Sequence, residues 1–445
     1  MEEQWLAFSK SELVIEKQQL EDEGAALSKE MAAEMETLLR YDGDEDRDYR
    51  KRVRKLLEKT DTLPTHKDYA YQEPSELEAI FEARPEKTTL LAPGSMSNEI
   101  LFDKIYGAWL GRCSGCLLGK PIEGLQAKDF WPYLNQIDQF PLLRYLDSSL
   151  PDYLKAKYTF ETGRGYIDQV DHMPEDDDMN YTVTSLAVMS RFGWEFKPED
   201  AAQFWLDNIP AYHTFTAERV AYRNFLLIKY PPESGRYCNP YREWIGAQIR
   251  GDFWGYVCPG NPEKAAKLAW RDACISHTKN GIYGEMWAAA MCSAAAVAET
   301  PRQVLEAGLE QIPEKSRLTA NIREVMDWYD SGKPVEAAID LIHERWDDSF
   351  SHHWCHTLSN AQIVALGLLW GENNFENSIS WAVTAGFDTD CNGATVGSVI
   401  GMLHGTKRLP SRWIEPLNDR LETGISGYQS VRISEMAKRT LEFVK

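Results

Sequence analysis

The chain has 445 residues, of which 43% are hydrophobic and 11% aromatic, enough apolar content for a sizeable core and too much for wholesale disorder. Its formal charge of −21 repels phosphate backbones and anionic lipid, which sets nucleic-acid and membrane partners aside. A small anionic substrate stays admissible, because bound divalent cations reverse a local field. The acidic start Met1-Glu2-Glu3-Gln4-Trp5 lacks the basic and apolar regions of a secretory signal. Eight cysteines in so long a chain do not form a secreted disulfide framework, so a reduced, cytoplasmic protein is expected.

Residues 1–97 are rich in Glu, Lys and Arg, with apolar positions Met31, Met35, Leu38 and Leu39 at helical spacing. They predict a helical extension or cap that ends near Pro93-Gly94-Ser95. From residue 98 to 445 helical periodicity dominates. Helices are predicted over 100–119, 177–192, 198–206, 262–277, 284–299, 301–311, 319–330, 334–346, 357–369, 375–385 and 391–405, and alternating strand patterns are scarce. The apolar stretch 286–298 is too short for a membrane span and reads as a buried helix. The expected fold class is therefore all-α.

Two of these helices carry glycines four residues apart: Gly107, Gly111, Gly115 and Gly119 in the first, Gly393, Gly397, Gly401 and Gly405 in the second. Residues at i and i+4 share one face, so each helix presents a ridge without side chains. An internal glycine costs roughly 1 kcal/mol of helix stability relative to alanine, so two matching ladders need a packing reason. Acidic residues flank the ladders. Glu123 follows the first, and Asp388-Thr389-Asp390 opens the second. Glu175-Asp176-Asp177-Asp178 opens the helix predicted at 177. Clustered carboxylates can be a solvated helix start. They can equally converge on a hard cation that wants oxygen ligands.

Three blocks in this order resemble the ADP-ribosylglycohydrolase family. The run from Gly107 to Glu123 looks like the family's glycine-rich first helix, which ends in a substrate-side glutamate. Asp176-Asp177-Asp178-Met179-Asn180-Tyr181-Thr182 is similar to its Thr-Asp-Asp-Thr-Gln-Met-Thr block, and Gly386-Phe387-Asp388-Thr389-Asp390-Cys391 to its Gly-Asp-Thr-Asp-Thr block. The resemblance spans about residues 100–410 and implies a large orthogonal helical bundle of that family's type. It implies two Mg²⁺ or Mn²⁺ ions held by Asp176, Asp177, Asp178, Asp388 and Asp390. Two divalent cations would nearly balance five carboxylates that cannot otherwise all stay ionised.

The resemblance further implies hydrolysis of an N- or O-glycosidic bond to ribose in an ADP-ribosylated protein or ADP-ribosyl conjugate. Glu123, Asp177 and Asp178 would be catalytic. Glu123, Gly246, His277, Gly281, Tyr283, Cys391 and Asn392 would contact the substrate. Two alternatives stand beside it: a hydrolase of small ribosides or nucleotide-derived metabolites, and an inactive member that binds ADP-ribose. Where the family has Thr, Thr and Asp, this chain has Asp176, Cys391 and Cys116, and Ile245 replaces an Asn in the block that helps hold ADP-ribose. Cys113-Ser-Gly-Cys116 lies inside a glycine ladder and lacks the strand–helix context of a redox motif. The run His352-His353-Trp354-Cys355-His356 is too compact for a tetrahedral zinc set by itself. Trp254, Tyr256, Tyr283 and Trp287 can stack on a base but read more readily as core residues.

Overall fold

Helices account for nearly all the regular structure of the computed structural model, which describes residues 4–87, 89, 91, 96–157 and 164–444. The fold is all-α. Among the described residues there are 23 α-helices and one antiparallel pair of short strands, Arg420–Glu422 with Ser430–Arg432. The break at Pro93-Gly94-Ser95 lies outside the described residues. No helix of the described residues is long and apolar enough to cross a membrane.

The glycine ladders meet. Helix Asn98–Gly119 lies antiparallel to helix Thr389–His404, with Gly107 against Gly401, Gly111 against Gly397, Gly115 against Gly393 and Gly119 against Thr389. A Cβ on Gly107 would stand 2.6 Å from the Gly401 carbonyl oxygen, and one on Gly111 or Gly115 would press further into the facing carbonyl. Only glycine allows two backbones to approach this closely. Gly405 has a different task. Its φ of +71° with ψ 175° ends the second helix in a conformation that is essentially reserved for glycine.

Most predicted helices are present with shifted ends. The helix expected at 284 begins earlier, as Lys279–Ala295, and so includes Gly281. That glycine is a close-packing position, with the Arg242 carbonyl and the His277 ring against it. The helix expected to reach 277 stops as Pro262–Ala273. The carbonyls beyond it are taken by side chains, Ile275 by the Ser234 hydroxyl and Ser276 by the Asn239 amide. Helices Ala127–Gln136 and Thr216–Leu226 were not expected from periodicity. Trp254, Tyr256 and Trp287 are fully buried, as core residues should be.

The N-terminal helices Lys10–Asp22, Lys29–Leu39 and Arg47–Thr60 share a small apolar cluster of their own, which includes Leu13, Leu20, Met35, Leu38, Val53 and Leu56. Ile15 and Ile80, in contrast, belong to the large core. Buried charges tie the two parts together. Arg242 lies 2.6 Å from both Glu16 and Glu23. Arg317 lies 2.8 Å from both Glu73 and Glu243. Burial alone would raise the Glu243 carboxyl, but Arg317 holds it down to about 2.

Gly115→Ala tests the close approach. Helix propensity alone favours the alanine by about 1 kcal/mol. Collision with the Gly393 carbonyl outweighs it, because overpacking costs about 1–3 kcal/mol or more. The urea midpoint is expected to fall, and an unchanged or higher midpoint would contradict the ladder contact.

Candidate metal centre

The ladder ends where the acidic residues begin. Gly119 passes into the short 3-10 turn Lys120–Ile122, and the Thr389 hydroxyl donates to the Gly119 carbonyl at 2.9 Å. This contact brings Glu123 and Lys120 to the start of the second glycine helix. The turn before that helix is conformationally demanding: Gly386 has φ +90° and Phe387, a non-glycine residue, φ +59°. Neighbours hold it in place. Trp354 Nε1 donates to the Phe387 carbonyl at 2.8 Å, and His343 Nε2 meets the Ala385 carbonyl at 2.8 Å. Asn360 Oδ1 accepts from the Asp388 N–H at 3.2 Å and from the Asn392 amide at 2.8 Å. The Asp388 side chain makes no capping hydrogen bond to the backbone of its helix.

The second acidic segment opens helix Asp177–Phe192. Asp176 caps it, with Oδ1 accepting from the Asp178 N–H at 3.0 Å, the usual duty of an acidic N-cap. Its Oδ2 lies 2.6 Å from Lys120 Nζ. Asp178 is fully buried and is clamped by Arg112 of the first glycine helix. That guanidinium donates to Asp178 Oδ1 at 2.9 Å, to the Asp178 carbonyl at 3.0 Å and to the Ile249 carbonyl at 2.6 Å, with Asp252 3.1 Å away. Asp177 and Glu123 are half-buried and form the more accessible edge.

The two segments converge. One oxygen of each of Asp176, Asp178 and Asp390 and the Cys116 sulfur lie within 4.8 Å of one another, and Asp388, Asp390 and Cys391 form an equally close group. Asp178 Oδ2, Asp388 Oδ1 and Asp390 Oδ1 are buried with no hydrogen-bond partner. An unpaired buried carboxylate is costly, so it either takes a proton or meets a cation. Burial, reinforced by Asp176, pushes the Asp390 carboxyl up to about 7. Burial first, and the neighbouring carboxylates second, push up Asp177 and Asp388. Glu123 is raised by burial and by Asp390. Asp178 is raised by burial despite Arg112. Asp176 is the exception: burial works against its charge, but Lys120 outweighs it and holds the carboxyl below the usual range. Burial also pushes the Cys116 and Cys391 thiols well up, and soft sulfur is a poor ligand for a hard cation. The donors left over are oxygens, and they fit a hard divalent cation.

The family model for ADP-ribosylglycohydrolase matches residues 97–442. The chain belongs to the ADP-ribosylglycohydrolase family. It is similar to a solved structure described as an ADP-ribosylglycohydrolase-related protein complex, with 17% identity over 78% of this chain and 98% of that one and a TM-score of 0.46. No curated protein matches it.

Other residues that the ADP-ribosylglycohydrolase blocks single out fall in different places. Cys391 and Asn392 sit beside Asp390, and the Asn392 amide is spent on Asn360. Gly246 packs against the Glu218 carboxylate, with no room for a Cβ between them. His277 is buried, with Nδ1 2.8 Å from the Ser276 hydroxyl and Nε2 3.9 Å from Glu218. Gly281 is packed beneath that ring. Tyr283 corrects the expectation of a substrate contact. It is fully buried, its hydroxyl donates to the Pro74 carbonyl, and its charged neighbours are Glu73, Glu243 and Arg317 rather than the aspartates.

The histidine run carries no second centre. Asp22, His352 and His356 do approach one another within 4.8 Å. Yet Trp244 Nε1 donates to His352 Nδ1, and the Leu358 N–H to His356 Nδ1, both at 3.1 Å. A neutral ring accepting at Nδ1 carries its proton on Nε2, which then has no lone pair for a metal.

Sequence reasoning missed Lys120, Arg112 and Glu218. Lys120 and Arg112 lie inside the first matched block. Their only signal was a cation in an otherwise apolar segment facing acidic blocks. Glu218 gave none, since it acts through tertiary contact. Asn360→Ala would leave the Asp388 N–H and the Asn392 amide without partners, at about 1–3 kcal/mol for a buried unsatisfied group. Hydrogen exchange at the Asp388 amide is expected to speed up, and unchanged exchange would show that Asn360 does not hold the turn.

Proposed function

We propose that the chain hydrolyses a glycosidic bond to ribose in an ADP-ribosylated protein or ADP-ribosyl conjugate, in a reaction that depends on Mg²⁺ or Mn²⁺. Family membership supports glycosidic hydrolysis in general. The observation that carries the metal dependence is the set of buried, partnerless oxygens on Asp178, Asp388 and Asp390. These residues would hold the cation, with Asp176 and Asp177 around them. The cation would supply a Lewis acid that fixes ribose hydroxyls and acidifies water.

The protein's own groups divide the remaining work by exposure. Asp178 is sealed in and clamped by Arg112, so it serves as a ligand and not as a base. Asp177 lies on the accessible edge with a raised carboxyl and is suited to take the proton of the attacking water. Glu123, raised and half-buried on the opposite segment, positions the ribose. The anionic wall also suits an oxocarbenium-like transition state, in which the sugar becomes positive.

One observation favours the alternative of small ribosides. In the block that resembles an ADP-ribose-holding segment, Gly246 faces a carboxylate. Arg250 is consumed there by Glu218 at 2.7 Å, Asp272 at 2.7 Å and Glu285 at 3.3 Å. No positive charge is left at that position for a diphosphate. Release rates from ADP-ribosyl-arginine, ADP-ribosyl-serine, O-acetyl-ADP-ribose and simple ribosides would decide between the two. Turnover is expected to vanish in excess EDTA and to return with Mg²⁺ or Mn²⁺. Asp388→Asn is expected to lower the rate by orders of magnitude with little change in thermal stability. Full turnover in EDTA would refute the metal dependence.

A further inference from the structure

The carboxylates fall into two overlapping groups that share Asp390, and the two groups are not equivalent. The half formed by Cys116, Asp176 and Asp178 already contains protein cations. Lys120, 1% exposed, sets its Nζ 2.6 Å from Asp176 Oδ2, and the other Asp176 oxygen is committed to the Asp178 N–H at 3.0 Å. Arg112 lies 2.9 Å from Asp178 Oδ1. In this half two carboxylates therefore face two protein cations. The other half differs: among the described residues, neither Asp388 nor Asp390 has a Lys or Arg within ion-pair distance. The oxygens without partners are Asp178 Oδ2 in the first half, Asp388 Oδ1 in the second and Asp390 Oδ1, which the two halves share.

We propose that this chain binds a single divalent cation, at the half formed by Asp388 and Asp390, and that the Lys120 ammonium takes the place of the second. The inference rests on the metal dependence proposed above. An ammonium neutralises charge and donates hydrogen bonds but accepts no lone pair, so it replaces the electrostatic share of an ion and not its Lewis acidity. Lys120 can fill this role because the Gly119–Thr389 contact fixes the turn that carries it.

The test is a metal count on the full-length chain, stripped with EDTA and dialysed against Mn²⁺, with paramagnetic resonance to separate an isolated ion from a coupled pair. The wild type is expected to take up one Mn²⁺ per chain with the spectrum of an isolated ion. Lys120→Ala frees an Asp176 oxygen and removes a positive charge. It is expected to take up two ions and to show an exchange-coupled signal, while Lys120→Arg stays at one. Two ions per wild-type chain would overturn the single-ion inference and leave the metal dependence standing. No uptake by the wild type would overturn both. A Lys120→Ala chain with unchanged circular dichroism that still takes up one ion would show that the lysine does not occupy an ion's place. Should that variant fail to fold, the wild-type count decides alone.

Discussion

Everything at the acidic centre depends on two helix backbones touching along a seam without side chains. Where Gly111 meets Gly397 and Gly115 meets Gly393, the separation is set by main-chain atoms, which cannot change rotamer. The register is consequently rigid, and it propagates to the helix ends. Gly119 stops opposite Thr389, so the turn bearing Lys120 and Glu123 and the turn bearing Asp388 and Asp390 face each other. A seam of leucines would have offered more apolar burial but a wider and softer spacing. The glycines give up helix propensity for positional accuracy at a place that requires it.

The second constraint is electrostatic. The centre gathers carboxylates that cannot all be ionised side by side in a dry site, and it deals with each differently. Asp176 is neutralised by Lys120 and Asp178 is half-neutralised by Arg112, whereas Asp388 and Asp390 keep free oxygens. The gradient runs from a protein-compensated side to an uncompensated one. A cation drawn to the site therefore meets an unequal field, strongest where no Lys or Arg among the described residues stands at ion-pair distance.

The sequence made the fold class, both ladders and both acidic segments legible because each is written in local periodicity or in adjacent residues. Helix Asp177–Phe192 is found with the expected ends, and the second glycine helix begins only two positions early. What could not be read is whatever depends on where a long side chain reaches. Lys120 looks like a turn residue until Asp176 is placed beside it. Asn360, four residues after His356, can be read as facing a pocket or as a cap, but not as the seat on which the Asp388 turn docks. Tyr283 shows the opposite failure. Local similarity made it a substrate contact, whereas its hydroxyl serves the Pro74 carbonyl of the N-terminal region. Gly281 looked like part of a loop because the same residue that loosens a turn also allows close packing inside a helix.

The ion pairs that cross from the N-terminal helices have a consequence for how this chain can be divided. Both anionic partners of Arg242, Glu16 and Glu23, lie before the family-matched region of residues 97–442, and so does Glu73, one of the two partners of Arg317. A fragment cut at that boundary would leave Arg242 without either of its carboxylate partners and Arg317 without one of its two. The matched region is thus not self-sufficient here. Grafting the matched region onto another protein would therefore call for bringing the leading helices along.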